Sequence, residues 1–218
     1  LWVNNGWLDY CVPQLYWQIG NKAADYATLI RWWGKNAGQR PLFIGEDVER
    51  TVKYADLVDA SQDQLSAKMS LHASQPGVKG TVLWYAKAAV DDVGRYSTRL
   101  RQTYWHYPAL QPQMPFIDGK APRKPRRLKP VWTSDGYLLF WKAPKGKGWR
   151  DEATKYVVYR FAKGEKVNTS DATKVVAVTT STFLRLPYND GQQKYVYVVT
   201  ALDRMQNESK SAQKKVSL

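Results

Sequence analysis

The sequence of 218 residues has few cysteines and histidines and no long apolar run, which are the features that disulfides, metal sites and membrane-spanning helices need. A single cysteine, Cys11, excludes an intrachain disulfide, and its apolar surroundings predict a small buried side chain. The two histidines, His72 and His106, have no Cys, His or acidic partner at metal-ligand spacing. No run approaches the ~20 apolar residues of a membrane-spanning helix. We therefore predict no metal, no cofactor and no transmembrane segment.

Several sequence motifs of common function classes are also missing. The chain has no glycine-rich phosphate loop, no Gly-x-Ser-x-Gly motif and no stretch with the pattern of a signal peptide. A specialised strand comes at the very start, at residues 9–17, with no element before it. We therefore expect the chain to begin inside a domain, and the missing signal peptide then says nothing about secretion.

Positive charge is concentrated in the second half of the chain. Residues 1–118 hold 12 Lys and Arg against 11 Asp and Glu, whereas residues 119–218 hold 21 against 8. Seven of the ten tryptophans lie in the first half. This difference in composition predicts two domains of different kinds, residues 1–118 and residues 119–218.

The first half has the alternating strands and helices of an α/β domain. Strands are predicted at 9–17, 40–47 and 78–86, and helices at 22–35, 60–74 (capped by Asp59) and 91–104. This order predicts parallel strands joined by right-handed helical crossovers. Three units cannot close an eight-unit barrel, which needs ~250 residues. The region is therefore either the end of a barrel or a small open sheet.

The second half has the pattern of an all-β domain. A proline-containing basic segment, 121–130, is expected to form a stiff linker that leads into an edge strand. Strands are predicted at 137–141, 155–161, 174–178, 182–186, 194–202 and 212–218. Short strands separated by turns, without helical periodicity, predict a β-sandwich.

The first half resembles a known family. The pattern Asp9-Tyr10-x-Val12-Pro13-Gln14-x-Tyr16-Trp17 is similar to the glycosyl hydrolase-like GHL10 family, also called DUF187. The segments Trp32-Trp33, Leu42-Phe43-Ile44-Gly45 and Gly77-Val78-Lys79-Gly80 follow in the family's order. The resemblance covers residues 6–105 and implies the last three βα units of a TIM-type barrel. The Asp-rich segment that we associate with catalysis in that family has no match here.

The second half resembles a fibronectin type III domain. The supporting residues are Trp141, the run Tyr156-Val-Val-Tyr159-Arg160 and the run Tyr195-x-Tyr197-x-Val199-x-Ala201. Together, the two resemblances imply an α/β plus all-β chain: C-terminal βα units of a TIM-type barrel, followed by a fibronectin type III-like β-sandwich.

The acids at the end of the second strand are the candidates for catalysis. Glycoside hydrolysis generally needs two carboxylates, and a barrel places them at the C-terminal ends of its strands. Glu46 and Asp47 occupy that position, and Glu46 is the predicted catalytic acid. The alternative is a loop acid that is solvated or ion-paired. Asp9 starts its strand and is expected on the opposite, structural face.

Polar and aromatic residues end the first and third strands. Gln14, Tyr16 and Trp17 end the first, and Trp84 and Tyr85 end the third. On a barrel these five would share one rim, where amide and phenol groups bind sugar hydroxyls and an indole stacks on a pyranose. They are therefore the predicted substrate-binding residues. The alternative is core packing, because neighbours on a strand point opposite ways.

The resemblance implies the C-terminal fragment of a glycoside hydrolase that acts on polysaccharide or cell-wall glycan. Without the other strands, we expect it to be inactive alone. The family also implies a periplasmic, cell-envelope or secreted protein, and unpaired sheet edges predict self-association. The alternative is a non-catalytic carbohydrate-binding or adhesion module, in which the basic sandwich holds an anionic polymer.

One dense basic run, Arg123-Lys124-Pro125-Arg126-Arg127, is the feature that a nucleic-acid reader would use. Few aromatic residues are interleaved with it, although base stacking needs them. We therefore expect a solvated linker and no nucleic-acid partner.

Overall fold

A computed structural model describes residues 1–146 and 148–218. The chain divides into two compact units, Leu1–His106 and Tyr107–Leu218. The division falls after His106 rather than after Asp118, because residues 107–118 pack within the second unit. Leu110 contacts the apolar cluster on one face of a sheet there, and Asn207 Nδ2 donates to the Asp118 carbonyl at 2.7 Å.

The first unit alternates short helices with two strands and one extended segment. Its elements are α1 (Tyr26–Asn36), β1 (Leu42–Asp47), α2 (Val48–Lys53), α3 (Leu65–Ala73), β2 (Val78–Trp84), α4 (Ala86–Val90) and α5 (Tyr96–Arg99), with a 3-10 turn at Val93–Arg95 and a π-helical turn at Leu100–Tyr104. The predicted alternation of strands and helices is present, although several boundaries differ.

The strands of the first unit are parallel, and they lie side by side in chain order. β1 and β2 pair with Ile44 opposite Thr81. Residues 11–15 lie along the other edge of β1, where Leu15 N–H donates to the Gly45 carbonyl at 3.0 Å. The predicted strand 9–17 is thus a shorter parallel segment, bridged at Cys11 and Gln14. Pro13 fits there because its carbonyl, rather than an N–H, faces β1.

Helices cover one face of this sheet. Tyr26 and Ile30 of α1 pack on Leu42 and Ile44 of β1. A second cluster joins α2, α3, α4 and α5 through Val48, Leu65, Met69, Ala88 and Tyr96. On the opposite face, the ring of Tyr10 contacts Phe43 edge-on, and Val82 and Trp84 are exposed. The sheet therefore has a packed helical face and an open face.

All three predicted helices differ from the structure in their bounds. The helix predicted at 22–35 spans Tyr26–Asn36, because Asp25 caps its start. The helix predicted at 60–74 begins at Leu65, and Asp59 caps a turn by accepting from Ser61 instead. The helix predicted at 91–104 begins earlier, at Ala86. It breaks where Asp92 adopts φ 55° and Gly94 φ 57°, left-handed values that no helix interior contains.

The second unit is a sandwich of two antiparallel sheets. Its strands are β3 (Arg126–Thr133), β4 (Gly136–Lys142), β5 (Lys155–Ala162), β6 (Val175–Thr179), β7 (Phe183–Arg185), β8 (Lys194–Leu202) and β9 (Ala212–Ser217). One sheet has the order β3-β4-β7 and the other β6-β5-β8-β9. The predicted basic linker is therefore a strand from Arg126 onward.

The core of the second unit lies between its two sheets. Leu139 and Trp141 of one sheet pack against Tyr156, Val158 and Tyr197 of the other. These residues alternate along their strands and point into the space between the sheets. The other face of β5 and β8 is buried in a second cluster, which includes Val157 and Val198. A three-stranded and a four-stranded antiparallel sheet that pack face to face confirm the predicted β-sandwich.

Among residues 1–146 and 148–218, no helix is long and apolar enough to cross a membrane.

Candidate functional site

Glu46 is fully buried on the helical face of the first unit. Residues alternate along β1, and Glu46 is in phase with Leu42 and Ile44, which pack on α1. Its carboxylate therefore points between α1 and α3 and away from the open face. Its catalytic role stays a prediction, and its position matches the ion-paired alternative.

The Glu46 carboxylate is held by three side chains from the two helices. Lys68 Nζ lies 3.1 Å from Oε2, and neither side chain has exposed surface. Tyr26 donates its hydroxyl to Oε1, and His72 Nε2 lies 3.0 Å from the same oxygen. Lys68 also donates to Thr51 Oγ1 at 3.0 Å and lies over the Tyr26 ring. This network joins β1 to α1, α2 and α3.

Two buried tyrosines border this network and differ in their hydrogen bonding. Burial, followed by the nearby charge of Glu46, raises the pKa of both Tyr26 and Tyr96 far above the ordinary tyrosine value. Tyr26 donates to Glu46, whereas the buried Tyr96 hydroxyl has no partner among the described residues. Both phenols are therefore neutral at physiological pH.

Aromatic side chains gather at the C-terminal edge of the open face. The rings of Tyr16 and Trp84 stack with centroids 6.1 Å apart, and Trp84 and Tyr85 contact each other at 6.2 Å. Trp84 is 53% exposed. Gly45 lies beside Tyr16, and a Cβ there would be 3.5 Å from Tyr16 Cε1. The two strand ends therefore form one aromatic patch, defined here as Tyr16, Trp84 and Tyr85.

Gln14 and Trp17, the other predicted binding residues, lie beside this patch in sequence. Gln14 is exposed and bridges Gly45 through its backbone. Trp17 is 38% exposed and makes no ring contact with another described aromatic residue. The structure thus brings three of the five predicted binding residues together, with Trp84 in contact with both Tyr16 and Tyr85.

Two acids that the sequence prediction did not select lie near the aromatic patch. Burial raises the pKa of Tyr16, and the Asp47 carboxylate adds to this effect. Tyr85 donates its hydroxyl to Glu49 Oε1 at 3.1 Å, a bond that raises the pKa of that phenol. Asp47 is in phase with Phe43 and Gly45 along β1. The alternation puts Asp47 and Glu46 on opposite faces, but the apolar run Leu42-Phe43-Ile44 does not identify which face the helices cover.

Asp47 also positions the chain that follows β1. Its Oδ1 accepts from Arg50 N–H at 2.9 Å, which caps α2, and its Oδ2 lies 3.5 Å from Arg50 Nε. These contacts fix the carboxylate at the strand end, and its side chain is 14% exposed. The edge therefore combines flat aromatic faces with carboxylates that accept hydrogen bonds, which is a set of groups suited to sugar rings.

The chain is similar in sequence to several curated proteins. No protein-family model matches the chain. The curated relatives that it matches are named glycosyl hydrolases, which supports a glycosyl hydrolase-like family.

Two of these relatives show how far the similarity extends. The chain is 33% identical over 215 residues to glycosyl hydrolase YngK of Bacillus subtilis (strain 168), covering 98% of the chain and 42% of that protein. It is 28% identical over 90 residues to glycosyl hydrolase DigH of Escherichia coli (strain K12), covering 38% of the chain and 20% of that protein. The chain thus spans less than half the length of these relatives.

Solved structures with fibronectin type III-like names are similar to part of the chain. A Fn3-like protein from Clostridium thermocellum is 30% identical with TM-score 0.31, covering 43% of this chain and 92% of that one. A structure titled FN3tt mut is 18% identical with TM-score 0.32, and the match covers 44% of this chain and 94% of that one. The assignment of the sandwich rests on its own strand order.

Proposed function

We propose that this chain is the C-terminal part of a GHL10-type glycoside hydrolase acting on polysaccharide or cell-wall glycan. The observation that carries the proposal is the 33% identity along 98% of the chain to a relative named glycosyl hydrolase. A periplasmic, cell-envelope or secreted location belongs to the same proposal.

The arrangement of the first unit supports its origin in a (β/α)8 barrel. Its parallel segments lie in chain order, and α1 and α3 pack on a single face. A barrel has helices only on its outer face, whereas a doubly wound sheet has them on both faces. In a barrel, the open face with Phe43, Val82 and Trp84 faces the interior. The edges of this sheet are also the surfaces proposed for self-association.

We further propose the aromatic patch as a sugar-contacting surface. Its exposed indole offers a flat apolar face for a pyranose ring, and Gln14, Asp47 and Glu49 supply polar groups beside it. Glu46 lies on the opposite face of β1 from the aromatic patch, and its carboxylate binds side chains of α1 and α3. It thereby fixes the position of β1, whose end carries the polar groups beside the patch. Glu46 is thus a positioning residue in this proposal, and the fragment alone is inactive.

Binding and hydrolysis test the two parts of the proposal separately. Trp84→Ala is expected to weaken the binding of soluble peptidoglycan fragments by about tenfold, because one stacked ring is lost. Trp32→Ala on α1 is the matched control, since Trp32 is also exposed but lies on the helical face. Equal binding by both variants would exclude the aromatic patch as the sugar-contacting surface.

Hydrolysis is compared between residues 1–218 and the longer protein that contains them. We expect products only from the longer protein. Turnover by residues 1–218 at a comparable rate would contradict the proposal that the fragment is inactive. No turnover by either protein on any glycan would contradict the hydrolase proposal itself.

A further inference from the structure

A groove of about 580 Å³ on the second unit is surrounded by positive charge. The cations that line it are Arg123, Lys124, Arg126, Lys145 and Lys210, and all five are exposed. They come from three places: the approach to β3, the β4–β5 loop and the β8–β9 loop. The sandwich topology therefore brings together charges that are far apart in the chain.

None of these five cations forms an ion pair with a carboxylate in the described part of the chain. Among the described residues that line the groove, Glu208 is the only acid, and its Oε1 accepts from Tyr159 at 2.7 Å and from Thr200 at 2.6 Å. With five cations and one carboxylate, the described lining of the groove has a surplus of positive charge. An anion from outside the chain would supply the missing partner.

The local backbone maintains this charge at a cost in stability. Arg126 lies directly opposite Lys142 in the β3–β4 ladder, and like charges in that position repel. A register shift follows Arg126, and Arg127 there adopts φ 54°. Such irregularities redirect side chains. An anion bound in the groove beside Arg126 would offset part of this repulsion.

Two prolines form part of the groove wall. Pro122 and Pro144 line it and are buried. Because proline fixes its own φ angle, the backbone of the groove wall is restricted at these two positions. Arginine also offers a planar fork of donors that matches carboxylate, sulfate and phosphate oxygens. The groove therefore combines arginine and lysine side chains with a wall whose backbone is restricted at two positions.

We propose that this groove binds the acidic groups of an anionic polysaccharide. The positive charge and shape of the groove point to the anionic group, and the choice of polysaccharide as its carrier rests on the proposed function. Nucleic acid fits less well, because no described residue lining the groove is aromatic and none can stack on a base. The groove would hold the chain on an acidic glycan independently of the aromatic patch on the first unit.

The test measures binding of heparin and polygalacturonate to residues 1–218 by titration calorimetry, with neutral dextran as the uncharged probe. Lys124→Gln/Lys145→Gln/Lys210→Gln removes three groove charges and nearly keeps side-chain length. Lys163→Gln/Lys166→Gln/Lys214→Gln is the matched control, because these lysines are also exposed and lie outside the groove. Thermal unfolding verifies that both variants fold.

We expect at least one acidic glycan to bind and dextran not to bind. The groove variant should raise the Kd by about tenfold or more and weaken its dependence on salt, and the control should change the Kd by less than about threefold. Equal losses in both variants would overturn the proposal in favour of diffuse net charge. No binding of either acidic glycan would overturn it as well.

Random-sequence duplex DNA is the competing probe. DNA binding that is as tight as glycan binding, and equally sensitive to the groove variant, would overturn the polysaccharide assignment. These outcomes do not depend on the Trp84→Ala or hydrolysis results. The groove and the proposed hydrolase function can therefore fail separately.

Discussion

Glu46 and Lys68 form an ion pair from which water is excluded, with Oε2 and Nζ 3.1 Å apart and neither side chain exposed. Burying two charges is costly, and such a pair is tolerated only when further hydrogen bonds complete it. Tyr26, His72 and Thr51 provide those bonds. The pair therefore fixes how β1 sits on α1 and α3, and changes to one partner are expected to be severe.

Lys68→Met is expected to lower the free energy of unfolding by about 3–5 kcal/mol, because it leaves the Glu46 carboxylate buried without its cation. Urea denaturation measures the loss. Lys22→Met is the control, since Lys22 is exposed and makes no ion pair with a described residue. The double variant Glu46→Gln/Lys68→Met should recover part of the loss, because no charge remains alone. A loss of equal size in Lys22→Met would contradict this account.

Tyr26→Phe and Tyr96→Phe provide a matched pair, because both rings are fully buried. Tyr26→Phe removes a donor to a buried carboxylate and should cost about 1.5–3 kcal/mol. Tyr96→Phe removes a buried hydroxyl without a described partner, so it should be neutral or stabilising. Both values come from the same denaturation experiment. Equal destabilisation by the two substitutions would show that the hydrogen bond to Glu46 is not the source of the effect.

Alkaline pH should destabilise the chain. Burial raises the pKa of Tyr26, Tyr96 and Tyr156 in the folded state. A tyrosine in the unfolded chain ionises near pH 10. The three buried phenols are still neutral at that pH, because their pKa in the folded state is higher. The stability is therefore fully present below about pH 10 and is lost as the pH rises towards the folded pKa values. Unfolding free energies measured from neutral pH upward check this, and a flat profile through pH ~11 would contradict it.

Gly77→Ala is expected to destabilise the first unit by about 1–3 kcal/mol. A Cβ at Gly77 would lie 2.6 Å from the backbone carbonyl oxygen of Gly34, which cannot move aside as a side chain can. Gly148→Ala is the control, because a Cβ there meets nothing within 4 Å. Thermal melting of both variants measures the difference. Similar melting temperatures would indicate that α1 shifts without cost.

The regular elements were the part of the structure most accessible from sequence. The strands at Lys155–Ala162 and Lys194–Leu202 match their predicted bounds closely. Each is apolar on both faces, because one face packs in the sandwich core and the other in the cluster that Leu110 joins. The first residues of the helices, which depend on local capping contacts, were harder to predict from sequence. Gln64 rather than Asp59 precedes α3, since Asp59 is used in a turn with Ser61.

The candidate sites were predictable only in part. The ends of the parallel strands indicated Tyr16, Trp84 and Tyr85, which the structure brings together. The face on which Glu46 lies was missed, because the apolar run Leu42-Phe43-Ile44 does not distinguish the two sides of the strand. The basic groove was beyond local patterns, since Lys145 and Lys210 meet Arg123 only through the sandwich topology.

The packing of residues 107–118 has a practical consequence for work on the sandwich alone. A recombinant domain that starts at Gly119 would lack Leu110, which covers the cluster containing Val157 and Phe161, and would lack the carbonyl that Asn207 binds. Such a truncation would expose apolar surface that invites precipitation. Expression from Tyr107 retains this cover and is the better starting point for isolating the domain.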